Sequence, residues 1–286
     1  MDKSIFTGNN VIVQGITGKN GQFHTRNMIA YGTNVVAGVT PGKGGMDVDG
    51  NAVYNSIAEV KKDMPVDISV IFVPAPFAKG AIFEAIDAEI PLIVCITEHI
   101  PVHDMIAVRQ RLKQSSSALI GPNCPGVLTP GKQLLGIIPA ALSKQGATAV
   151  VSRSGTLTYE AMDLLTKAGL GQKYVIGIGG DMVNGTNFIE CLELFENDSD
   201  VARIVMIGEI GGTDEIAAAD YIKDHVTKPV YAYVAGHSAP VGVQMGHAGA
   251  ILGDNTQESA PAKTAYLEKS GAITADSITE LVNRVQ

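Results

Sequence analysis

The chain has 286 residues, of which 45% are hydrophobic and 17% are charged. This composition is typical of a globular protein and excludes a disordered or fibrous one. The net charge of −8 argues against nucleic acid as the main partner, because nucleic-acid-binding proteins carry basic surfaces. Three cysteines, Cys95, Cys124 and Cys191, form no CxxC pair, so we expect neither a disulfide framework nor a zinc knuckle.

The localisation predicted from the sequence is cytoplasmic. No apolar run approaches the roughly 18 residues of a membrane span. The first residues contain neither a secretory signal nor an Arg-rich transit peptide. A mitochondrial matrix location is compatible with the sequence only if a presequence has been removed.

Short apolar runs alternate with helical patterns along the chain. Strands are predicted at 11–14, 34–39, 68–73, 92–96, 117–120, 147–151, 173–178, 203–207 and 229–234, with a weak last strand near 272–275. Helices are predicted at 77–88, 104–115, 157–168, 187–197, 214–224, 260–270 and 276–285. Most strands are continuously apolar, which indicates parallel sheets covered by helices on both faces.

The stretch 121–146 interrupts this alternation with four prolines and five glycines. Such residues break helices and strands alike, so we place a domain boundary or crossover there. The predicted fold is α/β, with one doubly wound domain over 1–123, a connection over 124–146 and a second doubly wound domain over 147–286.

A glycine loop follows the first predicted strand. Gly15, Gly18 and Gly21 give a GxxGxxG spacing ahead of a helical stretch, which is a variant of the dinucleotide fingerprint. Glycines there let backbone N–H groups and a helix N-terminus approach a diphosphate. A tight strand-to-helix turn without a ligand remains the alternative interpretation.

The second predicted strand narrows the choice of ligand. An NAD site usually has Asp or Glu at the end of this strand, to bind the ribose hydroxyls. Here the strand runs into Pro41-Gly42-Lys43-Gly44-Gly45, which offers a lysine and no carboxylate. Lys43 suits a ribose phosphate, as carried by coenzyme A or NADP. It could equally be a solvated cation of the loop.

Polar residues also follow the strand at 92–96. Thr97 and Glu98 should face the same crevice as the glycine loop, because ligands bind beyond the carboxyl ends of parallel strands. His99 and His103 have the spacing of a metal pair, but Pro101 between them argues against one helical face. We expect no metal site in this chain.

In the second predicted domain, Ser152-Arg153-Ser154-Gly155-Thr156 follows a strand and opens a helix. Ser or Thr at the start, with Glu160 a few residues on, resembles a helix cap. The functional interpretation is a phosphate site at the helix N-terminus. Glu209 follows a buried apolar run and should itself be partly buried.

His247 lies in the segment Met245-Gly246-His247-Ala248-Gly249-Ala250, where no bulky neighbour shields the imidazole. A phosphate or another domain could therefore reach the ring. Phosphorylation of one ring nitrogen requires an acceptor that holds the other nitrogen, and Glu209 could supply it. Taken alone, a loop histidine is more often structural.

These motifs together resemble the α subunits of the succinyl-CoA synthetase family (succinate–CoA ligase, NDP-forming). In chain order, the motifs are Gly15-Ile-Thr-Gly-Lys-Asn-Gly21, Pro41-Gly-Lys-Gly-Gly45, Ile96-Thr-Glu98, Gly121-Pro-Asn-Cys-Pro-Gly126, Ser152-Arg-Ser-Gly-Thr-Leu-Thr-Tyr-Glu160 and Gly246-His-Ala-Gly-Ala250. The resemblance covers essentially the whole chain. It implies a Rossmann-type CoA-binding domain followed by a flavodoxin-like ligase domain.

The resemblance also assigns site residues by position. It implies that His247 is the phosphohistidine, that Glu209 orients it and that Tyr159 binds the substrate. Ser154 and Gly155 would begin the helix that binds the phosphate. The residues matching the CoA site are Thr17, Gly18, Lys19, Asn20, Lys43, Ile96, Thr97 and Glu98.

The implied reaction is the reversible conversion of succinate, CoA and a nucleoside triphosphate into succinyl-CoA, nucleoside diphosphate and phosphate, in the citric acid cycle. The implied partner is a β subunit of ATP-grasp fold that binds Mg²⁺ and ATP or GTP, in an αβ or α2β2 assembly. Malate–CoA and citrate–CoA ligases also use a phosphohistidine, and the motifs do not distinguish their acid substrates from succinate. They therefore remain alternative assignments. Alternatives from other classes are an NAD(P)-dependent oxidoreductase and a CoA-sensing module. Lys43 disfavours the former, and the joint presence of Glu209 and His247 disfavours the latter.

Overall fold

The computed structural model describes residues 3–253 and 255–286. Two sheets, each largely parallel, follow one another along the chain and are covered by helices. The central strands have almost no solvent exposure on either face, as their continuous apolar runs predict. Among the described residues, no helix is both long and apolar enough to cross a membrane.

The first sheet has the order β3-β4-β2-β1-β5-β6-β7, in which only the β3–β4 pair is antiparallel. From β4 to β7 this is the Rossmann order, whose direction of winding reverses between β1 and β5. Its strands are β1 (Val11–Gln14), β2 (Val35–Val39), β3 (Asp47–Val48), β4 (Asn51–Tyr54), β5 (Ile68–Ile71), β6 (Leu92–Cys95) and β7 (Ala118–Ile120). Its helices are α1 (Lys19–Tyr31), α2 (Ile57–Asp63), α3 (Ala75–Asp87) and α4 (Val102–Leu112).

The second sheet has the order β14-β13-β12-β10-β11-β8-β9. Strands β10 to β14 are parallel and have the flavodoxin order, which reverses between β10 and β12. The strands are β8 (Gly126–Thr129), β9 (Gln133–Gly136), β10 (Gln145–Ser152), β11 (Gln172–Gly177), β12 (Arg203–Glu209), β13 (Val230–Ala235) and β14 (Ile273–Thr274). The helices are α5 (Gly155–Lys167), α6 (Phe188–Asn197), α7 (Asp214–His225), α8 (Ala260–Lys269) and α9 (Ile278–Val285).

The predicted fold class is confirmed, and every strand and helix predicted from the sequence is present with small differences at its ends. The helix after the glycine loop begins at Lys19, so Gly21 lies inside α1 rather than ahead of it. The prediction overlooked α2 and the short strands β3 and β4. Two-residue and four-residue strands joined by a tight turn leave too little periodicity to recognise.

The range 124–146 contains more regular structure than its prolines and glycines suggest. Strands β8 and β9 form an antiparallel hairpin there, and β8 pairs with β11 at the edge of the second sheet. Gly126 and Gly136 pair across the hairpin with φ of 95° and 127°. These conformations favour glycine, so residues that usually break strands are required for this one.

Candidate functional site

Two concave surfaces lie at the carboxyl ends of the strands, one at each sheet, and the second also takes wall residues from the first half of the chain, such as Glu98 and Asn123. The larger is a cavity of about 1130 Å³ at the point where the first sheet reverses its winding. The smaller is a cleft of about 170 Å³ next to His247. We refer to them as the first-domain cavity and the His247 cleft. Their positions match the rule that ligands of open α/β sheets bind at such reversal points.

The glycine loop forms one wall of the first-domain cavity. Thr17, Gly18, Lys19 and Asn20 all line it, as the sequence predicts for a common site. Gly21 packs so closely on the loop that a Cβ there would lie 2.3 Å from the carbonyl oxygen of Gly15. Only glycine therefore allows α1 to begin at this distance from β1, with its N-terminus directed at the cavity.

The opposite wall comes from the segment after β5 and from α3. Phe72, Val73, Pro74 and Phe77 supply an apolar surface, and Phe77 is 67% exposed. The floor is polar: the buried amide of Gln14 donates to the Glu84 carboxylate over 3.1 Å. An elongated ligand with both polar and apolar parts suits this combination.

Lys43 does not line the first-domain cavity. It lies in an exposed turn in which its backbone N–H donates to the carbonyl of Thr40, and Thr40 is a wall residue. Lys43 is thus an exposed residue next to a wall residue, at the rim of the cavity. A charge at the rim can bind a phosphate that projects from the cavity, but does not hold one inside it.

Ile96, Thr97 and Glu98 form the segment that follows β6. Thr97 Oγ1 donates to the carbonyl of Val73, a wall residue of the first-domain cavity, over 2.7 Å. Ile96 is partly buried against the core, and a Cβ at Gly136 would lie 2.9 Å from its Cδ1. Glu98 lines the His247 cleft instead of the cavity. Of the three, only Glu98 lines either surface; Thr97 contacts the cavity wall through its hydrogen bond, and Ile96 lines neither surface.

His99 and His103 are both highly exposed and each interacts with its own neighbour in the sequence, Glu98 and Asp104 respectively. His99 has a φ of 63° and precedes α4, whereas His103 lies within it. Within 3–253 and 255–286, no group of three or more His, Cys, Asp or Glu side chains has the arrangement of a metal site.

His247 lies beside the point at which the second sheet reverses its winding. Glu209 is the last residue of β12, and Arg153 follows the last residue of β10, the neighbouring strand. The backbone of the His247 loop contacts a third strand end, because Gly249 N–H donates to Gly180 O over 2.9 Å. The site therefore combines the ends of β10, β11 and β12.

The His247 ring is held by one carboxylate oxygen. His247 Nδ1 lies 2.7 Å from Glu209 Oε2, and Glu209 is only 5% exposed. This hydrogen bond is the main cause of a raised pKa of His247, which burial opposes. Because Nδ1 is occupied, Nε2 is the nitrogen available to a reactant in the cleft. The side chain keeps 28% of its exposure, which is enough for access.

Gly180 provides the surface on which the imidazole rests. A Cβ at Gly180 would lie 2.2 Å from His247 Cγ and 2.4 Å from its Nδ1. Any other residue would displace the ring from Glu209. The next residue, Asp181, is 8% exposed, and its carboxylate accepts a hydrogen bond of 2.8 Å from the Asn123 amide.

Sequence reasoning missed three charged residues behind Glu209. Arg153 Nε lies 3.1 Å from Glu209 Oε1, and Arg153 Nη1 lies 3.9 Å from Glu215 Oε1. The first contact is an ion pair whose angle falls outside that of a hydrogen bond. Lys263 Nζ lies 2.5 Å from Glu215 Oε2, and both residues are fully buried. In the sequence, Glu215 and Lys263 have the appearance of ordinary helix-surface charges, so no local signal identifies them.

Ser154 and Gly155 begin α5 as predicted. Ser154 Oγ accepts from the backbone N–H of Leu157 over 3.3 Å, which makes Ser154 the N-cap. Glu160 lies beyond the first turn and is not part of a capping box, contrary to the sequence interpretation. The first backbone N–H groups of the helix, at Gly155 and Thr156, have no acceptor one turn earlier and can receive an anion.

Tyr159 is half-buried on the same helix, and its Oη would lie 4.0 Å from a Cβ at Gly155. Burial is the main reason that the pKa of Tyr159 is raised to about 12. The hydroxyl therefore stays protonated near neutral pH and can donate a hydrogen bond to an anionic substrate.

Comparison with known proteins identifies the family of this chain. Residues 7–99 match the family model described as CoA binding domain, and residues 151–273 match that described as CoA-ligase. The α subunit of succinate–CoA ligase [ADP-forming] from Staphylococcus epidermidis is 51% identical over 280 residues, which cover 97% of this chain and 92% of that protein. The chain belongs to the succinate–CoA ligase α-subunit family.

A second member of the succinate–CoA ligase α-subunit family, subunit alpha 2 of the ADP-forming enzyme from Archaeoglobus fulgidus, is 55% identical over 264 residues. The match covers 92% of this chain and 91% of that protein. The predicted membership is thereby confirmed, and with it the ligase class. An oxidoreductase is not supported by these relatives.

Solved structures show the same fold at lower identity. ATP citrate lyase from Methanosaeta concilii, in complex with (3S)-citryl-CoA, has a TM-score of 0.88 and 24% identity over 97% of this chain. The chain spans about half, 49%, of that protein's chain. A dinucleotide-forming acetyl-coenzyme A synthetase 1 from Ca. Korarchaeum cryptofilum, with phosphate and ADP, has a TM-score of 0.75 and 20% identity. It matches 98% of this chain and 61% of its own.

Proposed function

We propose that this chain is the α subunit of a succinate–CoA ligase. Together with a β subunit, it catalyses the reversible reaction of succinate, CoA and a nucleoside triphosphate to succinyl-CoA, nucleoside diphosphate and phosphate. The reaction is a substrate-level phosphorylation step of the citric acid cycle. The observation that carries the proposal is the 2.7 Å contact of His247 Nδ1 with Glu209 Oε2 next to an open cleft. The 51% identity to a relative named for this activity supports it.

The catalytic residue is His247, and Glu209 orients its ring. In the neutral form of His247, the proton is on Nδ1, and this N–H group donates a hydrogen bond to Glu209. The other ring nitrogen, Nε2, then carries a free lone pair. That lone pair attacks the γ-phosphorus of the nucleotide, and the bond from phosphorus to the bridging oxygen breaks to release the diphosphate. Glu209 stabilises the positive charge that develops on the ring during the attack.

The phosphoryl group then moves to the substrate. A succinate carboxylate oxygen attacks the phosphorus, the N–P bond breaks, and succinyl phosphate and free His247 result. The CoA thiolate attacks the acyl carbon, and phosphate leaves with the electrons of the C–O bond. The N-terminus of α5, with Ser154 and Gly155, stabilises the negative phosphate. The Tyr159 hydroxyl donates to a carboxylate of the substrate.

Coenzyme A fits the chain from the first-domain cavity to the His247 cleft. Its diphosphate would contact the glycine loop at Thr17, Gly18, Lys19 and Asn20, whose backbone faces the cavity. Lys43 at the rim would bind the ribose phosphate. The pantetheine arm would follow Ile96 and Thr97 toward Glu98, the residue that reaches the cleft. This route brings the thiol near the phosphoryl carrier.

The proposed domains are a CoA-binding domain over 1–123, a connection over 124–146 and a ligase domain over 147–286. The matches of the two family models, at 7–99 and 151–273, support this division. The proposed partner is an ATP-grasp β subunit that binds Mg²⁺ and the nucleotide, in an αβ or α2β2 assembly. The relatives are named ADP-forming, which favours ATP over GTP.

Intact-mass spectrometry of the complex of this chain with its β subunit tests the proposal. After incubation with Mg-ATP or Mg-GTP, the chain should gain the mass of one phosphate, which acid removes. His247→Ala should abolish the gain, and His237→Ala should not, because His237 lies on an exposed turn outside the cleft. No phosphate on an assembled wild-type complex would contradict the mechanism.

The acid substrate is identified by measuring how fast each candidate acid removes the phosphate from the same phosphorylated complex. With CoA present, succinate should remove the phosphate at least about 10-fold faster than malate or citrate, which carry extra polar groups that need partners in the site. Faster discharge by citrate or malate would assign the chain to a related CoA ligase instead.

A further inference from the structure

Two buried charged residues, Glu215 and Lys263, hold the main chain of Glu209 from both sides. The Glu209 backbone N–H donates to Glu215 Oε1 over 3.1 Å, and Lys263 Nζ donates to the Glu209 carbonyl over 2.8 Å. Lys263 also donates to the carbonyl of Gly211 over 2.7 Å. Side chains from α7 and α8 thus fix both peptide groups that flank the Cα of Glu209.

The same pair reaches the guanidinium of Arg153. Glu215 Oε1 lies 3.9 Å from Arg153 Nη1, while Arg153 Nε faces Glu209 Oε1 and Arg153 Nη2 donates to Asp181 O over 3.2 Å. Gly208 makes room for this arrangement, because a Cβ there would lie 2.6 Å from Glu215 Cγ. The charges therefore alternate in a buried chain: Lys263, Glu215, Arg153 and Glu209, with His247 at its end.

Burying four charges does not increase the stability of a fold in general. The loss of hydration of a buried ion pair usually cancels its Coulomb attraction, and apolar residues of the same shape are often as stable or more so. A role at the end of the chain, where Glu209 meets His247 Nδ1, explains the arrangement better than stability does.

We propose that Glu215 and Lys263 are positioning residues, whose ion pair fixes the Glu209 main chain and the Arg153 guanidinium so that the Glu209 carboxylate is directed at His247 Nδ1. The proposal rests on His247 as the phosphoryl acceptor of the proposed function. It adds two residues, from helices α7 and α8, that do not touch the reactants themselves.

Opposite changes in the local charge should follow from the two single substitutions. The charged groups facing His247 are Glu209, Arg153 and Asp181, and the titratable residues Glu98 and His99 line the same cleft. In Glu215→Gln, Arg153 loses one of its two carboxylates and pairs more fully with Glu209, so the pKa of His247 should fall. In Lys263→Met, Glu215 loses its cation and attracts Arg153 away from Glu209, so the pKa of His247 should rise.

Titration of the His247 ring nitrogens by NMR, in the full chain labelled with ¹⁵N-histidine, measures both shifts. This readout needs no nucleotide, partner or turnover, and it therefore stands even if the proposed function fails. If the two substitutions only loosened the packing around Glu209, the pKa of His247 would move toward the ordinary histidine value in both variants. A fall in both, or no change in either, would overturn the positioning role.

The double variant Glu215→Gln/Lys263→Met tests the same point if a single variant does not fold. It keeps the approximate size of both side chains and leaves neither charge of the pair unpaired. The carbonyls of Glu209 and Gly211 lose their Lys263 donor, so the melting temperature should fall. The rate of His247 phosphorylation in the complex should also fall about 10-fold or more, because Glu209 is no longer fixed. A wild-type rate would overturn the proposal.

The exposed pair of Lys167 and Asp163 is the matched control. Lys167 Nζ lies 2.6 Å from Asp163 Oδ2 on the surface of α5. Lys167→Met removes a lysine of the same type from an ion pair of similar length. It should leave both the pKa of His247 and the phosphorylation rate unchanged, and a change there would show that any lost ion pair has the same effect.

Discussion

The two sites of this molecule both lie where a sheet reverses its winding, but they are built in different ways. The first-domain cavity, of about 1130 Å³, is walled mainly by the backbone of the glycine loop and by apolar side chains. The His247 cleft, of about 170 Å³, lies in front of the buried charges of Glu209, Glu215, Arg153 and Lys263. The first can receive a large ligand, and the second is arranged around one reactive group.

The difference indicates what each site needs from the protein. A bound cofactor-sized ligand carries its own charges, so the cavity supplies N–H groups, a helix N-terminus and apolar surface. The proposed nucleophile, His247, must be held in one orientation and protonation state, which requires fixed charges in a water-poor environment. Substitutions in one site should therefore leave the other intact, and four predictions test this separation.

The largest effect is expected for Gly180→Val. The new side chain would begin 2.2 Å from His247 Cγ and force the ring away from Glu209. We expect phosphorylation of the complex to slow about 100-fold or more, since small displacements of reacting groups have effects of this size. CoA affinity, measured by calorimetry, should not change.

Gly253→Ala is the control for this substitution, because the nearest atom to a Cβ there lies 3.7 Å away, at Glu258. It should phosphorylate at the wild-type rate. If Gly180→Val also phosphorylated normally, the ring would not rest where we place it.

The reciprocal effect is expected for Gly21→Val. Its Cβ would lie 2.3 Å from Gly15 O, so α1 and the glycine loop would have to separate. CoA affinity should fall about 30-fold, or about 2 kcal/mol, whereas nucleotide-dependent phosphorylation of His247 should remain. Calorimetry and intact-mass spectrometry on the same preparation measure the two effects. Loss of phosphorylation in a folded variant would contradict the separation of the sites.

A pH effect is expected for Glu209→Gln. In the proposed mechanism the attacking form of His247 is neutral, so the phosphorylation rate should fall as the pH drops through the pKa of His247, which Glu209 raises above the ordinary value. Removing the carboxylate lowers this pKa, because burial then dominates. The acid decline of the phosphorylation rate should move to lower pH, and its maximum should decrease about 10-fold.

The measurement for Glu209→Gln is the initial phosphorylation rate from pH 5.5 to 8.5, an interval of about three units around the ordinary histidine pKa. A shift of the decline to higher pH would show that Glu209 does not set the protonation state of His247.

The smallest effect is expected for Lys43→Glu. Lys43 lies in solvent at the rim, where a charge pair contributes only about 1 kcal/mol or less. CoA affinity should fall a few-fold, and the difference should shrink at high salt. Lys62→Glu, on an exposed turn of α2, gives the same charge change away from the cavity and should have no effect. Unchanged affinity in Lys43→Glu would remove Lys43 from the site.

The contrast between the sites also explains which parts of the structure could be predicted from the sequence alone. The first-domain cavity depends on Gly15, Gly18 and Gly21, which are close in the chain, so their spacing predicts both the loop and its ligand type. Except for β4, which pairs in parallel with β2, the parallel strands were predictable, since most of them are continuous apolar runs. The hairpin of β8 and β9 was not, because Gly126 and Gly136 are required by their positive φ and hide the strand pattern.

The His247 cleft was predictable only in part. The loop around His247 is distinctive, and Glu209 follows an apolar strand. Glu215 and Lys263, however, are 48 residues apart and lie on helices that carry other charged residues. Their pairing depends on how α7 and α8 pack on the end of β12, which no local pattern determines.

The central claim is that His247 accepts phosphate on Nε2 while Glu209 holds Nδ1. Phosphorus NMR of the phosphorylated complex, with ¹⁵N-labelled histidine in this chain, tests it directly. The account predicts one phosphorus signal coupled to Nε2 of a single histidine and absent in His247→Ala. A signal coupled to Nδ1, or one that persists in His247→Ala, would contradict it.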